Sequence, residues 1–207
     1  MRGRFISLEG GEGAGKSTQV KRLAAFLRSR GLDVVETREP GGSPGAEAIR
    51  RLLLEGTDER WTPEGEALLF AAARADHVAR TIRPALARGA WVLCDRFLDS
   101  SLAYQGGAGG LGAEAIRKLH AVGSGGFLPD RTLLMELLPA AAAERLALRD
   151  AEGSDRIGGR GETYHAGVAS AFAALADAEP DRFRRIDASG SAEQVTQRLI
   201  RAIEDLL

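Results

Sequence analysis

Near the start of the chain the sequence reads Phe5-Ile6-Ser7-Leu8-Glu9-Gly10-Gly11-Glu12-Gly13-Ala14-Gly15-Lys16-Ser17-Thr18. The apolar run Phe5-Ile6-Ser7-Leu8 predicts a buried strand, and Gly10 to Thr18 match the phosphate-binding pattern G-x-x-x-x-G-K-[ST] at every defined position. The glycines let successive N–H groups converge on phosphate oxygens, and a helix beginning near Lys16 adds its positive dipole end. This stretch therefore predicts a nucleoside triphosphate site.

Two side chains of this loop have the chemistry to complete the site. Lys16 is expected to reach the β- and γ-phosphates of ATP, and the Ser17 hydroxyl is expected to hold Mg²⁺. The alternative is a glycine-rich turn before a helix, but strand, loop and helix follow in the required order. The predicted triphosphate-binding set is Gly10, Gly11, Glu12, Gly13, Ala14, Gly15, Lys16, Ser17 and Thr18.

Length and composition narrow the class of protein. The 207 residues are expected to form one domain, 1–207, with room for a small lid. A net charge of -1 without runs of like charge argues against a general nucleic-acid or membrane-surface role. A single cysteine, Cys94, offers neither a disulfide framework nor a metal-ligand cluster. With no signal peptide or bilayer-spanning apolar stretch in the sequence, we expect a cytoplasmic protein.

Alternation of apolar runs with helical periodicity predicts an α/β fold with a five-stranded, mostly parallel sheet. The predicted strands are Arg4-Leu8, Asp33-Thr37, Ala90-Cys94, Thr132-Leu137 and Arg184-Ile186. Helices are expected from Lys16 to Arg30, from near Pro44, from Thr62-Pro63 towards Pro84, and over Ala113-Ala121, Pro139-Arg149, Gly161-Asp177 and Ser191-Leu207. Gly106-Gly112 and Gly123-Gly126 are expected to be loops.

Charged residues follow two of the predicted strands. Asp95-Arg96-Phe97 ends the third strand, at the edge where open α/β sheets bind ligands. Asp95 is placed to act on Mg²⁺ or its water shell and Arg96 to bind phosphates, although a structural ion pair between them is an alternative. Thr37-Arg38-Glu39-Pro40-Gly41-Gly42 ends the second strand and is typical of a ligand loop, with an ordinary turn as the alternative.

A phosphate loop alone does not separate a kinase from a switch GTPase or a mechanical ATPase. A GTPase is expected to carry an Asn-Lys-x-Asp guanine reader and an Asp-x-x-Gly switch after a strand, and the sequence has neither. The switch class is therefore disfavoured.

The motifs taken together resemble one family. They are Glu9 to Thr18, Thr37 to Gly42, Leu69-Phe70-Ala71-Ala72-Ala73-Arg74-Ala75 with His77, and Asp95 to Gly106. In this order and spacing they resemble the bacterial thymidylate kinase family over essentially the whole chain, the second and fourth being specific to it. The resemblance implies ATP- and Mg²⁺-dependent phosphorylation of dTMP to dTDP. It also implies a P-loop nucleoside monophosphate kinase fold, a mobile lid at about residues 140–160, and a homodimer.

The resemblance and the chemistry of the side chains together predict a dTMP site. Phe70 offers a flat face for a pyrimidine, and Arg74, one turn on, can donate to a ring carbonyl. Phe70 as an ordinary core aromatic is the alternative. The other expected substrate contacts are Glu39 and Pro40 in the ligand loop, Ser101, Tyr104 and Gln105 at the base and sugar, Glu12 near the 3′-hydroxyl, and Arg38, Arg50 and Arg96 at the acceptor phosphate. Arg51 is an alternative to Arg50.

Catalysis is expected to need no general base, because the acceptor phosphate oxygen is already anionic. The predicted catalytic cations are Lys16, Arg96 and one residue from the lid, since Gly13 stands where the family can carry a loop arginine. The resemblance places Arg149 at that lid position, with Arg156 as the competing candidate, and Arg145 where adenine is stacked.

Two other functions are alternatives on the sequence alone. A deoxynucleoside kinase also carries a Glu-Pro step after its second strand, with the Glu as general base on a 5′-hydroxyl. Gly41-Gly42 and Asp95-Arg96-Phe97 depart from that pattern. A non-catalytic nucleotide-binding regulator is disfavoured by the presence of Lys16, Ser17, Asp95, Arg96 and a lid.

Overall fold

Five parallel strands form one sheet in the order β2-β3-β1-β4-β5 in the computed structural model, which describes residues 3–57, 60–138, 140–142, 144–145 and 155–207. The strands are β1 (Phe5–Glu9), β2 (Val34–Arg38), β3 (Trp91–Asp95), β4 (Arg131–Glu136) and β5 (Phe183–Asp187). Every predicted strand is present, within one residue at each end. The predicted α/β fold with a five-stranded parallel sheet is confirmed.

Helices connect the strands and cover both faces of the sheet. They are α1 (Lys16–Ser29), α2 (Pro44–Leu54), α3 (Pro63–His77), α4 (Arg83–Ala87), α5 (Leu98–Ser101), α6 (Ala113–Ser124), α7 (Glu162–Ala178) and α8 (Ala192–Ala202). A π-helical turn, Val78–Ile82, joins α3 to α4, a second, Leu102–Ala108, continues α5, and a 3-10 turn, Glu204–Leu206, follows α8. Residues 140–142 and 144–145 of the predicted Pro139-Arg149 helix are helical, and its other residues lie outside the described part.

Two predicted loops are partly helical, because tertiary packing overrides the local glycine signal. Gly106 and Gly107 belong to the π-helical turn, and a Cβ on Gly107 would lie 2.7 Å from the Ala171 Cβ of α7. Gly123 belongs to α6, where its missing side chain leaves room for Ala75 of α3. At the end of the chain, α8 stops at Ala202 rather than Leu207.

The core has a layer on each face of the sheet, as strands buried on both faces require. On one face Leu23 and Leu27 of α1 and Leu199 of α8 pack against the sheet. On the other face Ile82 and Ile116 pack in a second cluster. Among the described residues, no helix is both long and apolar enough to cross a bilayer.

The register of the sheet brings three chain segments together at the carboxyl ends of the strands. Leu8 pairs with Asp95, and Asp95 pairs with Arg38. The loops after β1, β2 and β3 therefore leave the sheet side by side. These loops are the phosphate-binding stretch, the predicted ligand loop and the segment that begins with Arg96.

Candidate active site

A single cleft of about 510 Å³ opens at this edge of the sheet. It is lined by Glu12, Gly13, Gly15, Lys16, Ser17, Thr18, Arg38, Glu39, Pro40, Arg50, Leu54, Phe70, Arg74, Asp95, Arg96, Phe97, Ser100, Ser101, Tyr104, Gln105, Arg145, Asp155 and Ile157. Every residue predicted to contact substrate is in this set. Of the predicted triphosphate-binding residues, Gly10, Gly11 and Ala14 are not part of the lining. The predicted catalytic residue Arg149 lies outside the described residues.

Lys16 is held by the phosphate loop to which it belongs. Its side chain is buried, and Nζ donates to the carbonyl oxygens of Gly10 at 3.1 Å and Gly11 at 2.8 Å. Burial, assisted by the positive charge of Arg96, lowers the pKa of Lys16 to about 8. Phosphate oxygens are stronger partners for an ammonium than neutral carbonyls, so a triphosphate can take Lys16 from them.

Gly10 must be glycine at the point where the loop leaves β1. Its φ is 135°, and a Cβ on it would lie 2.3 Å from the carbonyl oxygen of Met135. The phosphate loop therefore passes directly against β4, which fixes its position on the sheet.

Ser17 and Asp95 have the chemistry of a Mg²⁺ site. The Ser17 hydroxyl donates to Asp95 Oδ2 at 2.5 Å, so a hydroxyl and a carboxylate oxygen lie next to each other in the cleft. Oxygen ligands of this kind suit Mg²⁺, which commonly binds one or two protein groups together with substrate phosphates. Within the described part of the chain, no cluster of three His, Cys, Asp or Glu could hold a metal alone. The donor set fits Mg²⁺ only when a phosphate ligand joins it.

Arg96 connects the phosphate loop to the segment after β3. Its backbone has φ 70°, a left-handed conformation that costs a non-glycine residue roughly 1–2 kcal/mol. Nη2 donates to Glu12 Oε1 at 2.6 Å and to the Tyr104 hydroxyl at 3.2 Å, while Nη1 donates to Gly10 O at 2.9 Å. The carboxylate that pairs with Arg96 is thus Glu12 rather than its neighbour Asp95.

The base side of the cleft contains a buried chain of polar contacts centred on Arg74. Arg74 Nε donates to Glu39 Oε2 at 2.7 Å, and Nη2 donates to Ser101 Oγ at 2.8 Å. The other Glu39 oxygen lies 2.9 Å from His77 Nδ1, and His77 Nε2 lies 2.7 Å from Thr37 Oγ1. Both oxygens of Glu39 are therefore engaged in fixing the guanidinium of Arg74 at the cleft.

The charge state of Glu39 follows from these partners. Burial alone would raise the pKa of Glu39, but the positive charge of Arg74 and the hydrogen bond from His77 outweigh it, so the net pKa is below its ordinary value. Because an ionised carboxylate only accepts, His77 Nδ1 carries a proton and donates to it.

The loop after β2 is closely packed around this chain of contacts. A Cβ on Gly42, which has φ 83°, would lie 2.3 Å from Thr37 Oγ1 and 2.4 Å from His77 Nε2. The Glu39-Pro40 peptide bond is cis. Glu39 and Pro40 of this loop line the cleft, and Gly42 leaves room for His77.

Two further arginines line the cleft from the second loop and α2. Arg50 Nη1 donates to the Pro40 carbonyl at 2.6 Å, and Arg38 Nη2 pairs with Glu47 at 3.1 Å on the more exposed rim. Arg51, the alternative weighed from the sequence, is exposed and does not line the cleft.

The predicted lid segment has three described arginines, Arg145, Arg156 and Arg160, and the first two differ in environment. Arg145 lines the cleft near the phosphate loop, and its Nη2 donates to the Ala188 carbonyl at 3.0 Å. Arg156 is buried, with Nη2 2.5 Å from Glu66 Oε2 and Nε donating to the Leu53 carbonyl at 2.8 Å.

Sequence reasoning missed two buried carboxylates that hold the site, Glu9 and Glu66. Glu9, fully buried at the end of β1, accepts from the Phe97 amide at 2.7 Å and from the Ser100 hydroxyl at 2.6 Å. Burial, with the nearby charge of Asp99, raises the pKa of Glu9 well above its ordinary value. Glu66 is the other, and its position one turn before Phe70 on the same helix face was the signal that could have found it.

A parallel sheet with a phosphate loop after β1 and an Asp-Arg pair after β3, which share one cleft with the buried contacts around Arg74, defines an α/β nucleotide kinase of the P-loop class. A family model described as thymidylate kinase matches residues 8–199. A thymidylate kinase of Rhizorhabdus wittichii is 67% identical over 207 residues, 100% of both chains. One of Caulobacter vibrioides is 50% identical over 194 residues, 94% of this chain and 92% of the relative.

A solved structure is similar as well. The crystal structure of thymidylate kinase from Ehrlichia chaffeensis has a TM-score of 0.79 and 29% identity, covering 98% of this chain and 100% of that one. The chain belongs to the thymidylate kinase family. The predicted family and the predicted enzyme class, a kinase, are confirmed, and the deoxynucleoside kinase alternative is not favoured.

Proposed function

We propose that this chain transfers the γ-phosphoryl group of ATP to dTMP, giving dTDP and ADP, in a Mg²⁺-dependent reaction. The observation that carries the proposal is the shared cleft. The phosphate loop with Lys16 and the fixed base reader with Arg74 line the same cavity of about 510 Å³. A donor and an acceptor nucleotide can therefore meet with their phosphates between the two.

The base side is arranged to bind a thymine deoxynucleotide. Phe70 lies at the cleft wall as a stacking face, and Arg74 is held so that it can donate to a ring carbonyl. Ser101 and Gln105 are within the same lining and are proposed to contact the base edge. Glu12 and Tyr104, hydrogen-bonded to each other at 3.2 Å, are proposed to contact the sugar, with Tyr104 crowding a 2′-hydroxyl.

The reaction then depends on positioning and charge rather than on a base. Arg38, Arg50 and Arg96 are proposed to hold the acceptor phosphate, whose oxygen attacks without prior deprotonation. Lys16 leaves the carbonyls of its loop and binds the β- and γ-phosphates of ATP. Ser17 and Asp95 hold Mg²⁺, which, when bound, neutralises charge on the phosphate oxygens. These cations stabilise the charge that spreads over the transferred group.

The lid is proposed to supply the remaining positive charge. Gly13 offers no side chain in the phosphate loop, so a cation must come from elsewhere. Arg149 is proposed for this role and Arg145, which lines the cleft beside the phosphate loop, for contact with adenine. Support for Arg149 over Arg156 comes from the buried ion pair of Arg156 with Glu66.

Two properties beyond the reaction belong to the same proposal. The protein is proposed to be a homodimer, supported by the exposed Leu68 on α3 and Val122 on α6, two helices that pack against each other. Sedimentation equilibrium tests the homodimer: a mass of twice 22.0 kDa is expected, and a monomer would contradict it.

A cytoplasmic location is also proposed, supported by the single cysteine, whose thiol is buried and forms no disulfide.

A substrate panel tests the proposed reaction. The protein is incubated with ATP, Mg²⁺ and one of dTMP, dUMP, dCMP, dAMP, dGMP or thymidine, and ADP formation is followed. We expect the highest kcat/KM with dTMP and no turnover of thymidine. Turnover of thymidine without dTMP would establish the deoxynucleoside kinase alternative, and ATP binding without transfer to any acceptor would indicate a regulator.

A further inference from the structure

Glu9 is a fully buried carboxyl group at the end of β1, immediately before the phosphate loop. It is not part of the cleft lining, but both of its oxygens contact the segment after β3 that begins with Arg96. A carboxyl group is costly to bury unless hydrogen bonds satisfy it. The role of Glu9 therefore depends on what its two hydrogen bonds hold in place.

One oxygen of Glu9 fixes the backbone next to Arg96, whose φ of 70° is unfavourable for a residue with a Cβ. The peptide group after Arg96 is held at both ends. The Phe97 amide donates to Glu9 Oε1 at 2.7 Å, and the Arg96 carbonyl accepts from the Cys94 thiol at 2.9 Å. On the other side, the Arg96 amide donates to the Leu8 carbonyl at 3.0 Å. Buried groups on both sides thus maintain the left-handed conformation.

The other oxygen of Glu9 fixes the side chain of Arg96. Ser100 Oγ donates to Glu9 Oε2 at 2.6 Å and accepts from Arg96 Nη1 at 3.1 Å. The same Nη1 donates to the carbonyl of Gly10, which follows Glu9 in the chain, at 2.9 Å. One nitrogen of the guanidinium is therefore held by two atoms whose positions depend on Glu9, while Nη2 contacts Glu12.

The contribution of Glu9 to this arrangement is hydrogen-bond geometry rather than negative charge. Burial and the nearby charge of Asp99 raise the pKa of Glu9 well above its ordinary value, which favours the neutral form more than in an exposed glutamate. The carboxylate that forms the salt bridge with Arg96 is Glu12, at 2.6 Å. An uncharged side chain with polar atoms at the same two positions should therefore hold Arg96 equally well.

We propose that Glu9 is a positioning residue for phosphoryl transfer, which fixes the backbone and the guanidinium of Arg96 in the geometry that binds the acceptor phosphate. The proposal rests on the proposed function, which assigns Arg96 to that phosphate. Because Glu9 is not part of the cleft lining, it acts through Arg96 rather than by contact with a nucleotide. A reacting geometry displaced by about 1 Å can cost about 10²-fold in rate, so loss of the Glu9 contacts should lower kcat.

Kinetics of two Glu9 variants with ATP, Mg²⁺ and dTMP test the proposal. Glu9→Leu keeps a side chain of similar size but removes both oxygens. Glu9→Gln keeps a polar atom at each position, since the Ser100 hydroxyl can donate or accept. We expect kcat of E9L to be about 10²-fold below wild type and that of E9Q to be within about threefold of it.

The matched control is Glu136→Leu. Glu136 is the last residue of the neighbouring strand β4, as Glu9 is of β1, but its side chain is exposed. We expect this variant to keep kcat within about twofold of wild type.

A double-mutant cycle separates positioning from a general loss of structure. In an Arg96→Gln background, E9L should lower kcat by no more than about twofold further, because the guanidinium that Glu9 positions is gone. A structural defect would lower kcat by the same factor in both backgrounds. An equal loss in both, a wild-type kcat in E9L, or an E9Q variant as slow as E9L overturns the proposal.

Ser100→Ala provides the same test if E9L does not fold. It removes only the link between Glu9 Oε2 and Arg96 Nη1, and the Phe97 amide keeps its acceptor. We expect kcat of S100A to be about tenfold below wild type, with no further loss in the R96Q background. An unchanged kcat in S100A, or the same loss in both backgrounds, overturns the proposal.

Crystal structures of E9Q and E9L separate failure of this proposal from failure of the proposed function, which wild-type turnover of dTMP tests alone. Arg96 should keep φ near 70° and its Nη1 contact with Gly10 in E9Q, and should lose both in E9L. An unchanged Arg96 in E9L overturns the positioning role whatever the acceptor of the reaction is.

Discussion

The two sides of the cleft hold their charged groups in different ways. On the phosphate side, Lys16 donates to carbonyls of its own loop and Ser17 donates to Asp95. In the proposed function, a nucleotide and Mg²⁺ replace both contacts. On the base side, Arg74 is held by a carboxylate and a hydroxyl that are themselves buried. The charged groups of the phosphate side must therefore exchange hydrogen-bond partners when nucleotide binds, whereas the hydrogen bonds that hold Arg74 on the base side are already formed.

This difference follows from what each side recognises. Phosphates carry enough charge to displace neutral hydrogen-bond partners. Without nucleotide, the phosphate loop can therefore bind Lys16 through its own carbonyl groups. A neutral base offers only a few weak hydrogen bonds, and its reader gains affinity when the arginine is fixed in advance. Mutations on the phosphate side should therefore change turnover, and mutations on the base side should change dTMP affinity.

The largest expected effect is on the phosphate side. Replacing Arg149 by alanine should lower kcat by about 10³-fold, the low end for a transition-state arginine, with little change in dTMP affinity. Steady-state kinetics and dTMP calorimetry on the same protein measure both. Arg149 itself lies outside the described residues, and turnover of the R149A variant within about tenfold of wild type would move the role to Arg156.

The second largest effect is expected on the base side, where it is a loss of dTMP affinity. Glu39→Gln leaves Arg74 with a neutral partner, and truncating one member of a buried charge pair commonly costs 2–5 kcal/mol, so we expect dTMP to bind about 10²-fold more weakly. AMP-PNP affinity should stay within about twofold, because Lys16 and its loop are untouched.

The matched control is Glu36→Gln, which changes a partly exposed carboxylate of β2 that pairs with Arg28. Circular dichroism confirms that both variants are folded. If folded E39Q binds dTMP as tightly as E36Q does, Arg74 is not held in place by Glu39.

The smallest effect is a pH dependence confined to the phosphate side. The pKa of Lys16 is about 8, below the ordinary lysine value, so the ammonium is protonated below that pH and loses its charge above it. AMP-PNP affinity should therefore fall about tenfold from pH 7 to pH 9, following the protonated fraction. Lys16→Arg keeps its charge over this range and should remove the dependence. An equal fall in that variant would assign the titration to another group.

The predicted site residues that line the cleft are those whose signal in the sequence is local. The phosphate loop, the strand-end motifs and the Phe70-Arg74-His77 spacing each lie within a few positions, and residues from each of them line the cleft. Glu9 and Glu66 were missed because a glutamate in a sequence predicts a surface position, and only the fold supplies the donors that make its burial stable.

The two glycine-rich loops were mispredicted for a related reason. Gly107 and Gly123 carry a loop signal locally, but each is glycine so that a neighbouring helix can approach, which is a property of the packed structure. Long-range packing of this kind has no signature within a single stretch of sequence.

A crystal structure of the protein with dTMP, AMP-PNP and Mg²⁺ tests the difference between the two sides most directly. We expect Lys16 Nζ to leave the Gly10 and Gly11 carbonyls for the phosphates, while the Arg74 contacts with Glu39 and Ser101 stay as they are. This expectation would be contradicted by Lys16 remaining on its loop carbonyls with nucleotide bound, or by Arg74 leaving Glu39 to reach the base.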